Sequence, residues 1–147
     1  ASAPFIEWLI QKGRPYIYST ATPPAIAHAL LTSLELIEGD EGVHRRHRLN
    51  QLIDIWRTEM NFLSWQKIES NTPIQPVILG SNASALAAAK QLDEAGYWIP
   101  AIRPPTVPAG SARLRITFSA NHHVDDLREL IRTLKEIEQS VIKENLA

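Results

Sequence analysis

The placing of the prolines constrains this chain more than any other feature. It has ten prolines against six glycines in 147 residues, and most gather at 23–24, at 73 and 76, and at 100–108. Proline fixes φ and removes a backbone donor, so each cluster must sit between regular elements or at their ends. The stretches between them have readable periods. Residues 4–12 predict a short amphipathic helix stopped by Gly13, and residues 16–19 a brief extended segment. Thr22 before Pro23 and Pro24 predicts an N-cap with proline in the first turn. Ile26, Leu30, Leu34 and Ile37 follow at helical spacing up to Gly39. Asp40 opens a further helix with the stripe Leu49, Leu52, Trp56, Met60 and Leu63.

The second half of the chain mixes periods. Residues 74–79 predict a strand with proline near its start, at an edge or entry position. Ser81 or Asn82 caps an alanine-rich helix running to Ala95, and Gly96 supplies the left-handed residue that ends it. Residues 97–102 predict a second strand and residues 103–110 a stiff proline loop. From 113 to 119 the chain alternates, with Leu114, Ile116 and Phe118 on one face and Arg113, Arg115 and Thr117 on the other. The last helix starts near Asn121, with Leu127, Leu130, Leu134, Ile137 and Val141 as its stripe. The implied class is α+β: about three strands, covered by helices on one face, with no evident partner for the other.

Composition narrows the function classes. Hydrophobic residues are 44% and charged residues 21%, as in a globular chain. Fifteen basic against sixteen acidic side chains give a net charge of −1, so no global field draws in nucleic acid or an anionic membrane. With no cysteine there is no disulfide framework, thiolate metal site or cysteine nucleophile. No run approaches eighteen apolar residues, and the N-terminus lacks the basic-then-apolar order of a signal peptide. The expected location is the cytoplasm.

Chemistry-bearing motifs are few. The basic run at residues 44–48 could meet phosphates, but it continues into an ordinary amphipathic helix and reads as a solvated face. His122 and His123 are adjacent, so on a helix they diverge by about 100° and do not share a metal easily; no metal site is expected. There is no nucleophile elbow and no glycine-rich phosphate loop. The loop at residues 102–110 differs. Its prolines stiffen it, and it delivers Arg113 and Arg115 onto one face of a strand. A guanidinium on a rigid strand suits bidentate carboxylate recognition, and a polar strand face in water would look the same.

Three ordered segments carry a resemblance. Residues 102–115, Ile-Arg-Pro-Pro-Thr-Val-Pro-Ala-Gly-Ser-Ala-Arg-Leu-Arg, resemble the C-terminal signature of the pyridoxal-phosphate-dependent α-oxoamine synthases. Residues 14–24, Arg-Pro-Tyr-Ile-Tyr-Ser-Thr-Ala-Thr-Pro-Pro, and residues 72–77, Thr-Pro-Ile-Gln-Pro-Val, are similar to two further motifs of that family. Order and spacing match over essentially the whole chain. The resemblance implies the small C-terminal domain of a fold-type-I transferase, with residues 1–22 leading in from a large cofactor domain and residues 23–147 forming the small one.

Arg-Pro-Pro-Thr-Val-Pro favours the branch that condenses L-alanine with a pimeloyl thioester, of CoA or a carrier protein, losing CO₂ in biotin biosynthesis. The alternatives are an aminoketobutyrate ligase or 5-aminolevulinate synthase type of relative, or a non-catalytic interaction domain. By resemblance, Ser19 and Thr20 lie near the cofactor phosphate across a homodimer interface. Thr106 contacts substrate, Arg115 binds a substrate carboxylate, and Arg113 and Arg103 are weaker candidates. One feature departs from the family. Its Schiff-base lysine sits in a Ser/Thr-x-x-Lys segment followed by small residues and upstream of the Tyr-Ser-Thr motif, and none of the lysines at 12, 67, 90, 135 and 143 has that whole context. The chain therefore reads as the C-terminal part of a longer enzyme and is expected to be inactive alone.

Overall fold

The computed structural model describes residues 1–146, with side chains through Val141. It divides into two compact units, Ala1–Gly42 and Val43–Ala147.

The first unit is helical. It holds α1 (Ala3–Lys12), α2 (Arg14–Ile17) and α3 (Pro24–Glu38), and α4 (Asp40–Glu59) starts at its end. Gly13 ends α1, its N–H reaching the Leu9 carbonyl at 2.7 Å. The extended segment expected at residues 16–19 is replaced by α2, because Pro15 fits a first helical turn and the Gly13 carbonyl accepts from Tyr16 and Ile17 N–H. Nor does Thr22 cap α3. Pro23 holds that position, its carbonyl accepting from Ile26 and Ala27 N–H. No residue of α1, α2 or α3 is buried. Gly42, where α4 begins, is close-packed, and a Cβ there would run into the Ile37 carbonyl.

The second unit contains the core. After α4 come β1 (Gln66–Lys67), β2 (Ile74–Gly80), α5 (Asn82–Glu94), β3 (Ala101–Ile102), β4 (Ala112–Thr117) and α6 (Val124–Leu146). The strands form one antiparallel sheet in the order β1-β2-β4-β3. The α+β class is as expected, with the two-residue β1 as a fourth strand. β2 and β4 pair from Ile74 opposite Thr117 to Ile78 opposite Arg113. Alternation places Ala112, Leu114, Ile116 and Phe118 against the helices, where they meet Leu52, Trp56, Leu92, Leu127 and Leu134. Trp56 packs edge-on against Phe62 and Phe118 at 6.4 and 5.7 Å. The other face carries Ile74, Pro76, Ile78, Arg113, Arg115 and Thr117, none of them buried.

Local chemistry explains the boundaries. Ser81 caps α5, its hydroxyl accepting from Ser84 N–H at 3.0 Å. At the other end Gly96, at φ 89°, completes a Schellman turn, with Tyr97 N–H on the Leu92 carbonyl at 2.8 Å and Gly96 N–H on that of Asp93 at 2.9 Å. That turn ties Tyr97 to α5. The strand expected over residues 97–102 consequently shrinks to Ala101–Ile102, extended by Arg115 N–H donating to the Pro100 carbonyl at 3.0 Å.

The apolar stripe of α4 likewise stops at Met60, and Leu63 is 77% exposed. The α4 carbonyls are capped by lysines: Lys67 Nζ donates to Arg57 and Met60, and Lys135 Nζ to Glu59. The chain beyond is held by Glu138 of α6. That carboxylate is 1% exposed and accepts from Leu63, Ser64 and Trp65 N–H at 2.9, 2.7 and 2.9 Å, and from the Ser64 hydroxyl at 3.1 Å. Burial pushes its carboxyl up, but these donors outweigh burial and hold it below the ordinary carboxylate range.

Candidate functional site

β4 and the loop before it carry most of the polar residues singled out from the sequence. Arg115 stands opposite Pro76 in the sheet and is exposed on the face away from the core. Arg113, two residues earlier on that face, is half-buried and turned back on its own strand, its Nε donating to the Ser111 carbonyl at 3.0 Å. The two guanidiniums therefore differ, and Arg115 is the one presented outward.

Thr106 lies in the exposed turn before β4, its N–H on the Arg103 carbonyl at 3.0 Å; a cis peptide joins Pro104 to Pro105 within it. The foot of the loop is pinned where Ser111 donates its N–H and hydroxyl to the Pro108 carbonyl, at 3.2 and 2.7 Å. Gly110, at φ 75°, makes the left-handed step into β4 that a side chain would resist.

A cavity of about 540 Å³ opens where residues 97–99 leave β4. Its floor is apolar (Leu52, Ile99, Ile116, Phe118, Leu127, Leu130), and Arg115, Thr117, His122 and Asp126 stand around it. Trp98, at its rim, is 90% exposed. Arg115 borders this cavity and Thr106 does not. Sequence reasoning did not single out Trp98 or Asp126 as site residues. The available signal was the Gly96 helix stop, which fixes where the strand must peel away.

Ser19 and Thr20 belong to the first unit, just past α2, and are exposed. The Ser19 hydroxyl donates to the Pro15 carbonyl. Short hydroxyl side chains at an exposed chain turn suit the phosphate end of a cofactor, since phosphate accepts hydrogen bonds. The amine-accepting end has no comparable residue among the described side chains. Lys67 and Lys135 cap α4, Lys90 pairs with Glu94 at 3.6 Å, and Lys12 is exposed in the last turn of α1. The side chain of Lys143 lies outside the described residues. Among the described side chains there are thus hydroxyls of the kind a phosphate accepts from, the Ser19 proton being held by Pro15, while Lys67, Lys90 and Lys135 are engaged elsewhere. Among the described residues no group of three histidines or carboxylates is placed to hold a metal ion, and no helix is long and apolar enough to cross a membrane.

Helices covering one face of a small antiparallel sheet, with an arginine-bearing strand turned outward, match an established class. Residues 1–134 match the family model described as aminotransferase class I and II, and the chain belongs to that family. It is 53% identical over 134 residues to the 8-amino-7-oxononanoate synthase of Janthinobacterium sp. (strain Marseille), covering 91% of this chain and 34% of that protein. It is 55% identical over 138 residues to the synthase of that name from Polaromonas naphthalenivorans (strain CJ2), covering 89% and 34%. Among solved structures, the 8-amino-7-oxononanoate synthase of Francisella tularensis aligns with a TM-score of 0.69 at 26% identity, covering 99% of this chain and 41% of that one. Serine palmitoyltransferase of Sphingomonas wittichii aligns with the same TM-score and identity, covering 96% and 35%. The chain spans about a third of the length of the curated relatives it matches.

Proposed function

We propose that this chain is the C-terminal part of an 8-amino-7-oxononanoate synthase: a homodimeric, cytoplasmic, pyridoxal-phosphate-dependent acyltransferase joining L-alanine to a pimeloyl thioester of CoA or a carrier protein, with loss of CO₂, in biotin biosynthesis. The observation carrying this reading is the identity of 53% and 55%, over about nine-tenths of the chain, to proteins of that name. In this reading residues 1–22 lead in from the large cofactor domain and residues 23–147 form the small domain.

The cofactor, when bound, supplies the electron sink that makes an amino-acid α-carbon nucleophilic. This chain's residues bind and orient. Ser19 and Thr20 offer hydroxyls to the cofactor phosphate across the dimer interface. Arg115 holds the L-alanine carboxylate as a bidentate partner, fixing the bond to CO₂ relative to the ring. Thr106, on its pinned loop, contacts substrate. A strand position suits Arg115, because backbone pairing on β2 and at Pro100 removes the freedom a loop would leave.

The test is kcat/KM for L-alanine in the full-length enzyme. Arg115→Ala is expected to cost about 2–5 kcal/mol, or roughly 30- to 5000-fold, while Arg113→Ala costs far less. Arg115→Lys should recover only part, since an ammonium lacks the planar fork. A loss within about threefold for Arg115→Ala would place the carboxylate elsewhere. Independently, borohydride reduction of the 147-residue chain with pyridoxal phosphate should leave no stoichiometric adduct on any lysine; a single modified lysine of full occupancy would overturn the domain assignment.

A further inference from the structure

We propose that the groove between α4 and the start of α6 binds a phosphate dianion, free or as a monoester. On α4, His44, His47, Arg48 and Gln51 recur at i, i+3, i+4 and i+7 and so share one face. That face lines a groove of about 580 Å³, floored by Leu52 and Val124 and closed on its far side by His123 and Asp125. The adjacent histidines diverge: His123 borders this groove, while His122 borders the cavity beside Arg115. His122 is engaged in its own turn, its Nδ1 accepting from Ser119 N–H at 3.3 Å, and its carbonyl lies 3.4 Å from Arg48 Nη2.

Two elements far apart in sequence thus bring three imidazoles and a guanidinium to one concavity against one carboxylate. The residues that read singly as a solvated helix face become a set only in the folded chain. The ligand class follows from geometry. His44, His47 and His123 bring ring N–H donors to the groove, and Arg48 brings a guanidinium. Several N–H donors around one concavity suit a tetrahedral oxyanion, for which the guanidinium fork offers paired N–H groups.

The groups facing the imidazoles are Arg48 and Gln51 from α4 and Asp125 from α6. Because the polar side chains lining the groove are exposed, binding is weak and salt-sensitive.

Equilibrium dialysis of the full-length protein against radiolabelled inorganic phosphate, at low salt, tests this. Other phosphate sites contribute a background, so the groove is read as the difference between wild type and variants. A saturable equivalent is expected in wild type that weakens about tenfold in Arg48→Gln and in His47→Gln. Arg132→Gln removes an exposed guanidinium paired with Glu129 on α6, and should retain the equivalent. Displacement by adenosine 5′-phosphate assigns the site to monoesters, and failure to displace assigns it to the free anion. Melting temperatures check that each variant folds. Unchanged binding in both Arg48→Gln and His47→Gln, or an equal loss in Arg132→Gln, overturns the proposal.

Discussion

The two units use similar helical material to opposite ends. In α1 and α3, Trp8, Leu30, Leu31 and Leu34 recur on helices with ample apolar surface, yet they are 52–60% exposed. In α6, Leu127, Leu130, Leu134 and Val141 are at most 8% exposed. The difference is the sheet. α5 packs on β2, β3 and β4 and against α6, whose stripe joins the inward residues of β2 and β4 in one buried cluster, whereas the first unit has only helices. An apolar stripe makes a helix compatible with a core; a second layer makes the core. Exposed apolar surface on that scale marks a surface that normally packs against something.

That contrast can be broken experimentally. The widest separation should come from surface behaviour: the 147-residue chain is expected to self-associate and bind apolar dyes, and a chain of residues 43–147 to do neither. A dye-silent, monomeric 147-residue chain would erase the distinction. Next, Leu114→Ala empties a position at 0% exposure and should cost about 2–5 kcal/mol in thermal or denaturant unfolding. Leu34→Ala, in the first unit, should stay within about 0.5 kcal/mol. Equal effects would mean that the first unit has a core of its own.

The smaller effect concerns Glu138, which secures the chain after α4 to α6. Glu138→Gln keeps the shape but faces an amide toward three N–H donors, and should cost about 1–3 kcal/mol at neutral pH. The sign with pH follows from the direction of the shift. Because the folded carboxyl sits below the ordinary range, its contribution is present above the unfolded value of about 4.3 and is lost as pH falls through the folded one. Wild type and Glu138→Gln should therefore converge in stability below about pH 4. A constant gap through that range would show that the clamp acts through packing alone.

Much of this was legible residue by residue. Gly13, Gly39 and Gly96 end helices as their positions suggest, Ser81 caps α5, and the alternation at residues 113–119 is the buried and exposed faces of β4. The failures came where hydrogen bonds distant in sequence or just outside a pattern took control. Leu63 has the right spacing for the α4 stripe, but Glu138, 75 residues away, captures its N–H. The strand at residues 97–102 has the right composition, but the turn at Gly96 claims Tyr97 first.

The candidate site divides in the same way. Arg115, Thr106, Ser19 and Thr20 came from local wording, and the chain itself shows that Arg113 and Arg115 share a strand face. It does not show that Arg113 turns back onto Ser111 while Arg115 faces outward. Nor does it show that His44 and His47 meet His123 across one groove. The sequence by itself determined the elements, their caps and the inward face of β4, because those depend on dihedral preferences and on periods spanning a few residues. Only the tertiary structure decided which polar groups share a cavity and which apolar faces are covered. Those outcomes depend on contacts between residues well separated along the chain, whose pairing no local period encodes.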